Sequence, residues 1–393
     1  MLLVLVQQTG DVALARALDR VIGDELPLFL LFARSDLKER YGSVRHKHGF
    51  DAAMCMLNPT NFDAVVSFAA PCDPRLMQNL FVVSYFDEIG IPTIEIQHGL
   101  FQYGINNVDV GLQVGSSPER GDQMGIHIEY AAKKVLRWGG EDGIGYLKSE
   151  LAVEAPANLR GEFVLVTTNQ NWHVYSDKHR YQLAIAIVRL AMSRPDLRFV
   201  WKPHHAENGT PEAKRVLTTV QEYELPNIEF EHSVPAEALI PSCKAAITTV
   251  STTLIDYQTH RTPTAVFACE PVAHLVEQLR CVSFSNAIEL QHAWAALERS
   301  PQDALVETGV GPVRRERLVS ELRDAIATRR LRPDWLRVAL QYQSYIRQPR
   351  SAHREMRRIE DSISEVKKRV NVVHRSTIAY KMKKLGQRLG VIR

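Results

Sequence analysis

The chain has 393 residues, of which 45% are hydrophobic and 24% charged. That is ordinary for a globular protein of two or three domains and excludes bulk disorder. The formal charge of +3 averages two unlike parts: residues 351–393 hold twelve Lys/Arg against four Asp/Glu, a net +8, so the first 350 carry −5. An acidic body with a basic tail points to an anionic surface as the tail's partner and away from nucleic acid.

Residues 1–6 are apolar but short, lack a basic flank and run at once into Gln7-Gln8-Thr9-Gly10. They read as a first buried strand and not as a signal peptide. Strands are predicted at Leu2–Val6, Leu28–Phe32, 64–68, Thr93–Ile96 and 110–114, with helices at 11–22 and 74–89 between them. Such alternation makes crossover units and a parallel sheet. Residues 139–157, rich in Gly, Glu, Pro and Ala, read as a linker. A second series follows, with strands at 163–167, 198–201, 228–230, 245–249 and 264–268 and a helix at 178–194. The expected class is α/β: two doubly wound Rossmann-like domains, 1–140 and 158–330, and a helical tail, 331–393. The tail opens with a helix at 331–348. Met356, Ile359, Ile363, Val366, Val370 and Val373 then recur at steps of 3 and 4, as do Ile378, Met382, Leu385, Leu389 and Ile392. This is an amphipathic stripe on a basic helix.

No run of about 18 apolar residues occurs, so no bilayer-spanning helix is expected. The five cysteines (55, 72, 243, 269 and 281) show no C-x-x-C spacing, which fits a reducing cytoplasm rather than a disulfide framework.

Three segments follow predicted strands and carry reactive side chains. In the first, Gln97-His98-Gly99 ends an apolar strand. Gly99 leaves room for a turn, and His98 would face a cleft, where an imidazole can take a proton from a hydroxyl near neutral pH. In the second, Lys202-Pro203-His204-His205, an ammonium and an imidazole N–H can meet phosphate oxygens. Adjacent histidines point apart and no third ligand lies nearby, so zinc is not expected there. In the third, Ser251-Thr252-Thr253, hydroxyls precede a predicted helix start near 252, an arrangement that can bind an anion. Each segment taken singly also fits an ordinary turn, surface loop or helix cap. Gln170, Glu231 and Ser233 follow other strands of the second series and can line the same cleft.

The order of these segments resembles a family of GT-B-fold transferases that build bacterial surface polymers: CDP-glycerol glycerophosphotransferases, capsule Kdo transferases and polysialyltransferases. The resemblance rests on Gln97-His98-Gly99, Lys202-Pro203-His204, and Ser251-Thr252-Thr253-Leu-Ile-Asp256 followed by Thr262-Pro263. It implies that His98 serves the acceptor side as a base, that Lys202, His204, Ser251 and Thr252 hold donor phosphates, and that Asp256 is the family's helix carboxylate. Two departures stand out: His205 replaces the family's proline, and Thr252 replaces its second serine.

The expected activity is therefore transfer of a sugar or polyol phosphate from a nucleotide-activated donor to a glycan or lipid-linked hydroxyl. No D-x-D triplet occurs, so neither a metal nor another cofactor is expected. The alternatives are a nucleotide-sugar 2-epimerase on the same fold and a non-catalytic scaffold of a polysaccharide assembly complex. The tail suits an anionic membrane surface, a coiled-coil partner or packing on the body. The resemblance favours the first, which would place the protein in the cytoplasm, peripheral to the inner face of the plasma membrane.

Overall fold

A computed structural model describes residues 1–33, 35–41, 47–49, 58–68, 77–100, 132–151, 162–169, 175–204, 207, 209–270, 272–277 and 279–347. The strands are β1 (Leu2–Val6), β2 (Leu28–Phe32), β3 (Lys47–Gly49), β4 (Ala64–Ser67), β5 (Thr93–Ile96) and β6 (Lys134–Leu136), then β7 (Val164–Thr168), β8 (Phe199–Pro203), β9 (Ile228–Phe230), β10 (Ala245–Thr248), β11 (Thr264–Phe267) and β12 (Val282–Phe284). The helices are α1 (Thr9–Ile22), α2 (Ser35–Tyr41), α3 (Met77–Glu88), α4 (Asp177–Ser193), α5 (Pro211–Gln221), α6 (Ala236–Leu239), α7 (Thr253–Thr259), α8 (Ala273–Val276), α9 (Ala287–Arg299), α10 (Arg315–Ala327) and α11 (Trp335–Arg347).

The strands form two six-stranded sheets, ordered β3-β2-β1-β4-β5-β6 and β12-β11-β10-β7-β8-β9. Every pairing is parallel, with Leu2 opposite Leu28 and Ala64, and Val164 opposite Phe199. Each sheet starts at its centre and winds outward twice, the doubly wound order. The winding direction reverses between β1 and β4 and again between β7 and β10, which is where such sheets bind ligands. The predicted class is confirmed for the sheets. The central strands are largely apolar because helices cover both faces: all five residues of β1 are fully buried.

Most predicted strands sit within a residue or two of their place. Three were not anticipated: β3, β6 and β12 have only three residues each, too few for a periodic signal. The predicted strand at 110–114 lies outside the described residues. Helix α1 starts two residues early, because Gln8 and Asp11 form a reciprocal cap at its first turn.

Residues 139–151 join the sheets but are no open linker. Ile144, Tyr146 and Leu147 are buried, and residues 147–150 form a 3-10 turn packed on α1. The Tyr146 N–H donates to the Gly311 carbonyl at 2.8 Å, and the Arg314 N–H to that of Ile144 at 2.7 Å. This close approach requires glycine at 145. Its φ is +78°, and a Cβ there would meet the Pro312 carbonyl oxygen at 2.0 Å. After the second sheet, α10 returns to the first. Arg315 and Arg323 pair with Glu25, and Lys134 with Glu321.

Both sheets belong to one unit, Met1–Arg332; a second unit covers Pro333–Arg393. In the second unit the described helix is α11. It begins at Trp335, four residues later than predicted, since Pro333 cannot sit in a helix interior. The stripe from Met356 onward lies outside the described residues. Among the described residues no helix is long and apolar enough to cross a membrane.

Candidate functional site

At the end of β5 the fully buried Gln97 holds the next turn in shape. Its Oε1 accepts the Trp138 N–H at 2.8 Å, and its Nε2 donates to the Gly99 carbonyl at 2.7 Å. Gln97 thus positions its neighbour, and Gly99 contributes its carbonyl. His98 Nδ1 lies 2.5 Å from the Phe68 carbonyl, at the end of β4. A carbonyl can only accept, so Nδ1 carries the proton and the neutral ring keeps its lone pair on Nε2. Burial pushes the imidazole down to about 4. The Phe68 carbonyl opposes this, and the Lys148 ammonium adds to it. The ring is therefore neutral at pH 7.

Across from this turn lies the start of α7. Thr252 is the residue before the helix, yet its hydroxyl makes no cap. Instead it accepts the Leu100 N–H at 3.0 Å. The Gln97-His98-Gly99 turn of the first sheet and the hydroxyl segment of the second are thus in direct contact. Ser251 Oγ accepts the Thr253 N–H weakly, at 3.4 Å, and the buried Thr253 hydroxyl has no hydrogen-bond partner among the described residues. Helix α7 has only seven residues, so hydroxyls rather than a long helix dipole supply most of the polarity here.

Beneath this segment runs a buried hydroxyl network. Tyr257 donates to Thr167 at 2.9 Å, Thr167 to Thr248 at 2.8 Å, and Thr248 to the Thr249 carbonyl at 3.0 Å. The Asn169 N–H donates to Thr249 Oγ1 at 3.0 Å, which ties the ends of β7 and β10 together where the winding reverses.

Lys202 is half-buried at the end of β8, and its ammonium donates to the His232 carbonyl at 2.9 Å. Burial lowers its pKa, against the raising effect of Glu231 and Glu237. Glu231 and Ser233 organise the loop that carries His232. One Glu231 oxygen accepts the Ser233 N–H and hydroxyl and the Val234 N–H, at 2.6, 2.7 and 2.8 Å. Burial raises the Glu231 carboxyl, but these bonds outweigh it and hold it below its ordinary value. His204 is fixed by its backbone, with its N–H on the Thr168 carbonyl at 3.0 Å and its carbonyl accepting from Glu207 at 2.8 Å. Glu207 is fully buried and accepts from Thr168 Oγ1 at 3.0 Å. Gln170 and His205 lie outside the described residues.

Four residues of the site were not anticipated: Asp11, Tyr146, Lys148 and Glu237. Lys148 projects from the 3-10 turn, and its ammonium pairs with Glu237 of α6 at 3.2 Å. Its field also reaches Asp11, His98 and Asp256. Burial raises Asp256 to about 7; Lys148 and Tyr146 act against this and Glu237 with it. Burial likewise raises Asp11 to about 6, although the Gln7 and Gln8 N–H groups donate to it at 2.9 and 3.1 Å. No motif marks Lys148. The usable signal was the apolar spacing of Ile144, Tyr146 and Leu147 around it, which contradicts an open linker.

No protein-family model and no curated protein matches this sequence. Solved structures do match in fold. MnaA of S. aureus, determined with UDP, superposes with a TM-score of 0.58 at 11% identity, covering 83% of this chain and 97% of that one. UDP-GlcNAc 2-epimerase from Methanocaldococcus jannaschii gives 0.51 at 11% identity over 82% and 99%. The Neisseria meningitidis enzyme bound to UDP-GlcNAc gives 0.50 at 12% over 82% and 99%. The class defined by this likeness is the GT-B-type pair of doubly wound sheets.

Proposed function

We propose that the protein is a nucleotide-sugar enzyme that transfers a glycosyl or polyol-phosphate group to an acceptor hydroxyl of a bacterial surface polysaccharide or glycolipid. The observation that carries this reading is the Leu100 N–H to Thr252 hydroxyl bond, which brings a neutral imidazole and a set of hydroxyls to one crevice. In this reading the donor's phosphates lie on Lys202, His204 and residues 251–253 of the second sheet. Acceptor oxygen attacks the transferred group while His98 Nε2 takes its proton. The bond to the departing phosphate oxygen breaks, and its charge is met by the ammonium and N–H donors. No obligatory metal is invoked, so activity is expected to survive EDTA. The basic tail would hold the enzyme on an anionic membrane surface beside a lipid-linked acceptor.

A second reading, a 2-epimerase, is supported by the raised carboxyls of Asp11 and Asp256, which suit proton removal and return at a sugar carbon. Two measurements test the pair. Melting in the presence of CMP, CDP, UDP, GDP or ADP identifies the nucleotide; a ligand at 100 times its Kd adds about 2.7 kcal/mol. Incubation with the matching sugar nucleotide then separates the readings: a transferase releases nucleotide only with a glycan acceptor, and an epimerase turns over without one. If no nucleotide raises the melting temperature, both readings are wrong.

A further inference from the structure

Glu237 has two cationic neighbours. Its carboxylate lies 3.2 Å from the Lys148 ammonium, and Lys202 is near enough for each to act on the other. Burial would raise this carboxyl, yet the two ammonium groups hold it below its ordinary value, so it is an anion at neutral pH. We propose that Glu237 is a place-holder for a phosphate of the donor: its carboxylate occupies the ammonium group of Lys148 until a nucleotide diphosphate displaces it and takes that ammonium over. This rests on the nucleotide-binding reading above and adds Lys148 to its phosphate contacts.

Three observations support the exchange. Lys148 is presented by a fixed turn: Tyr146 and Leu147 are buried, and Ser149 Oγ donates to the Tyr146 carbonyl at 2.7 Å while accepting the Val313 N–H at 3.1 Å. Glu237 is the more exposed partner, with 34% of its side chain accessible against 16% for Lys148, so it is the one placed to move. The Tyr146 hydroxyl, 1% exposed as a residue, faces Asp256 but makes no hydrogen bond of good geometry, so a buried donor is present beside the pair.

Charge requires the displacement. The groups that face Lys148 are Asp11 of α1, His98 after β5, Glu237 of α6 and Asp256 of α7. Adding a diphosphate while Glu237 stayed would surround one ammonium with anions in a poorly solvated crevice. A diphosphate brings more negative charge to Lys148 than the single carboxylate it displaces, so the positive field on His98 falls and the imidazole becomes more basic. Donor binding would thereby prepare the base.

The test uses the full chain with UDP, CDP and uridine as probes, in the wild type, E237Q, K148M and K148R. Removing the competing anion should tighten diphosphate binding: E237Q is expected to bind UDP or CDP about two- to fivefold more tightly. K148M should lose about tenfold, with K148R between it and the wild type. Uridine, which has no phosphate, should bind all four alike. A merely structural ion pair predicts weaker binding in both E237Q and K148M, and would move uridine with the diphosphates. Melting without nucleotide reports whether each variant folds; should K148M fail to, E237Q and K148R still decide. Wild-type binding with E237Q unchanged or weaker overturns the place-holder alone. A wild type that binds neither these diphosphates nor CMP, GDP or ADP overturns the functional reading beneath it.

Discussion

The two sheets share one strand order and differ at the edges where their strands end. The first edge is braced largely by main-chain groups: Gln97 holds the Trp138 N–H and the Gly99 carbonyl, Asp11 holds two N–H groups, and His98 rests on the Phe68 carbonyl. The second edge is laced by side-chain hydroxyls, from Tyr257 through Thr167 and Thr248 and from Thr249 to the end of β7. A main-chain brace fixes one imidazole in one tautomer, and burial keeps it neutral. A buried hydroxyl lattice underlies the half-buried hydroxyl segment at 251–253, whose small, uncharged polar groups suit phosphate oxygens. The same topology thus carries two chemistries, and the assignment of roles comes from the edges.

The comparison breaks most sharply at His98. H98A is expected to lower the transfer rate about 10²–10⁴-fold while nucleotide-dependent melting shifts persist, because the proposed phosphate contacts do not include His98. Loss of nucleotide binding in H98A would merge the two edges into one function.

Next in size is the brace itself. Q97L keeps the volume but removes both bonds that Gln97 makes, to the Trp138 N–H and the Gly99 carbonyl, at a cost of about 2–4 kcal/mol, measurable by urea unfolding. An effect below about 0.5 kcal/mol would mean that the turn is held by something else.

A pH measurement sharpens the contrast. Asp256 titrates near 7 in the folded chain against an ordinary 3.8, so its contribution to stability is intact below pH 4 and is lost as pH rises to about 7. His98 runs the other way: its folded value near 4 lies below its ordinary 6.5, so its contribution is present above pH 6.5 and is lost as pH falls through 4. D256N should therefore melt above the wild type at pH 8 and lose that advantage at pH 4. A gain independent of pH would remove the buried carboxylate from the explanation.

The smallest effect is expected at the Leu100–Thr252 bond, which joins the edges. T252V keeps the shape of the side chain and removes the Thr252 hydroxyl bond to the Leu100 N–H, for about 1 kcal/mol, read in melting temperature. H98A and T252V should couple in a double-mutant cycle if the two turns act as one crevice.

Much of this architecture is legible along the chain. Leu2–Val6 and Leu28–Phe32 are placed to the residue, because a strand covered on both faces is an unbroken apolar run. Gln97, His98, Lys202 and residues 251–253 stand out because each breaks such a run. Lys148 and Glu237 do not stand out: one lies in a glycine-rich stretch that resembles a linker, the other on a four-residue helix. Their partnership spans 89 positions, and no local pattern encodes a contact at that range.

The sequence by itself determined the alternation of strand and helix, the two series, and which side chains end the strands, since these follow from hydrophobic periodicity and residue chemistry over a few neighbours. Only the tertiary structure decided that the Leu100 backbone meets Thr252, that one lysine acts on three carboxyl groups, and that His98 is neutral. Those facts depend on burial and on charges brought together from distant parts of the chain, and both exist only once the sheets have packed.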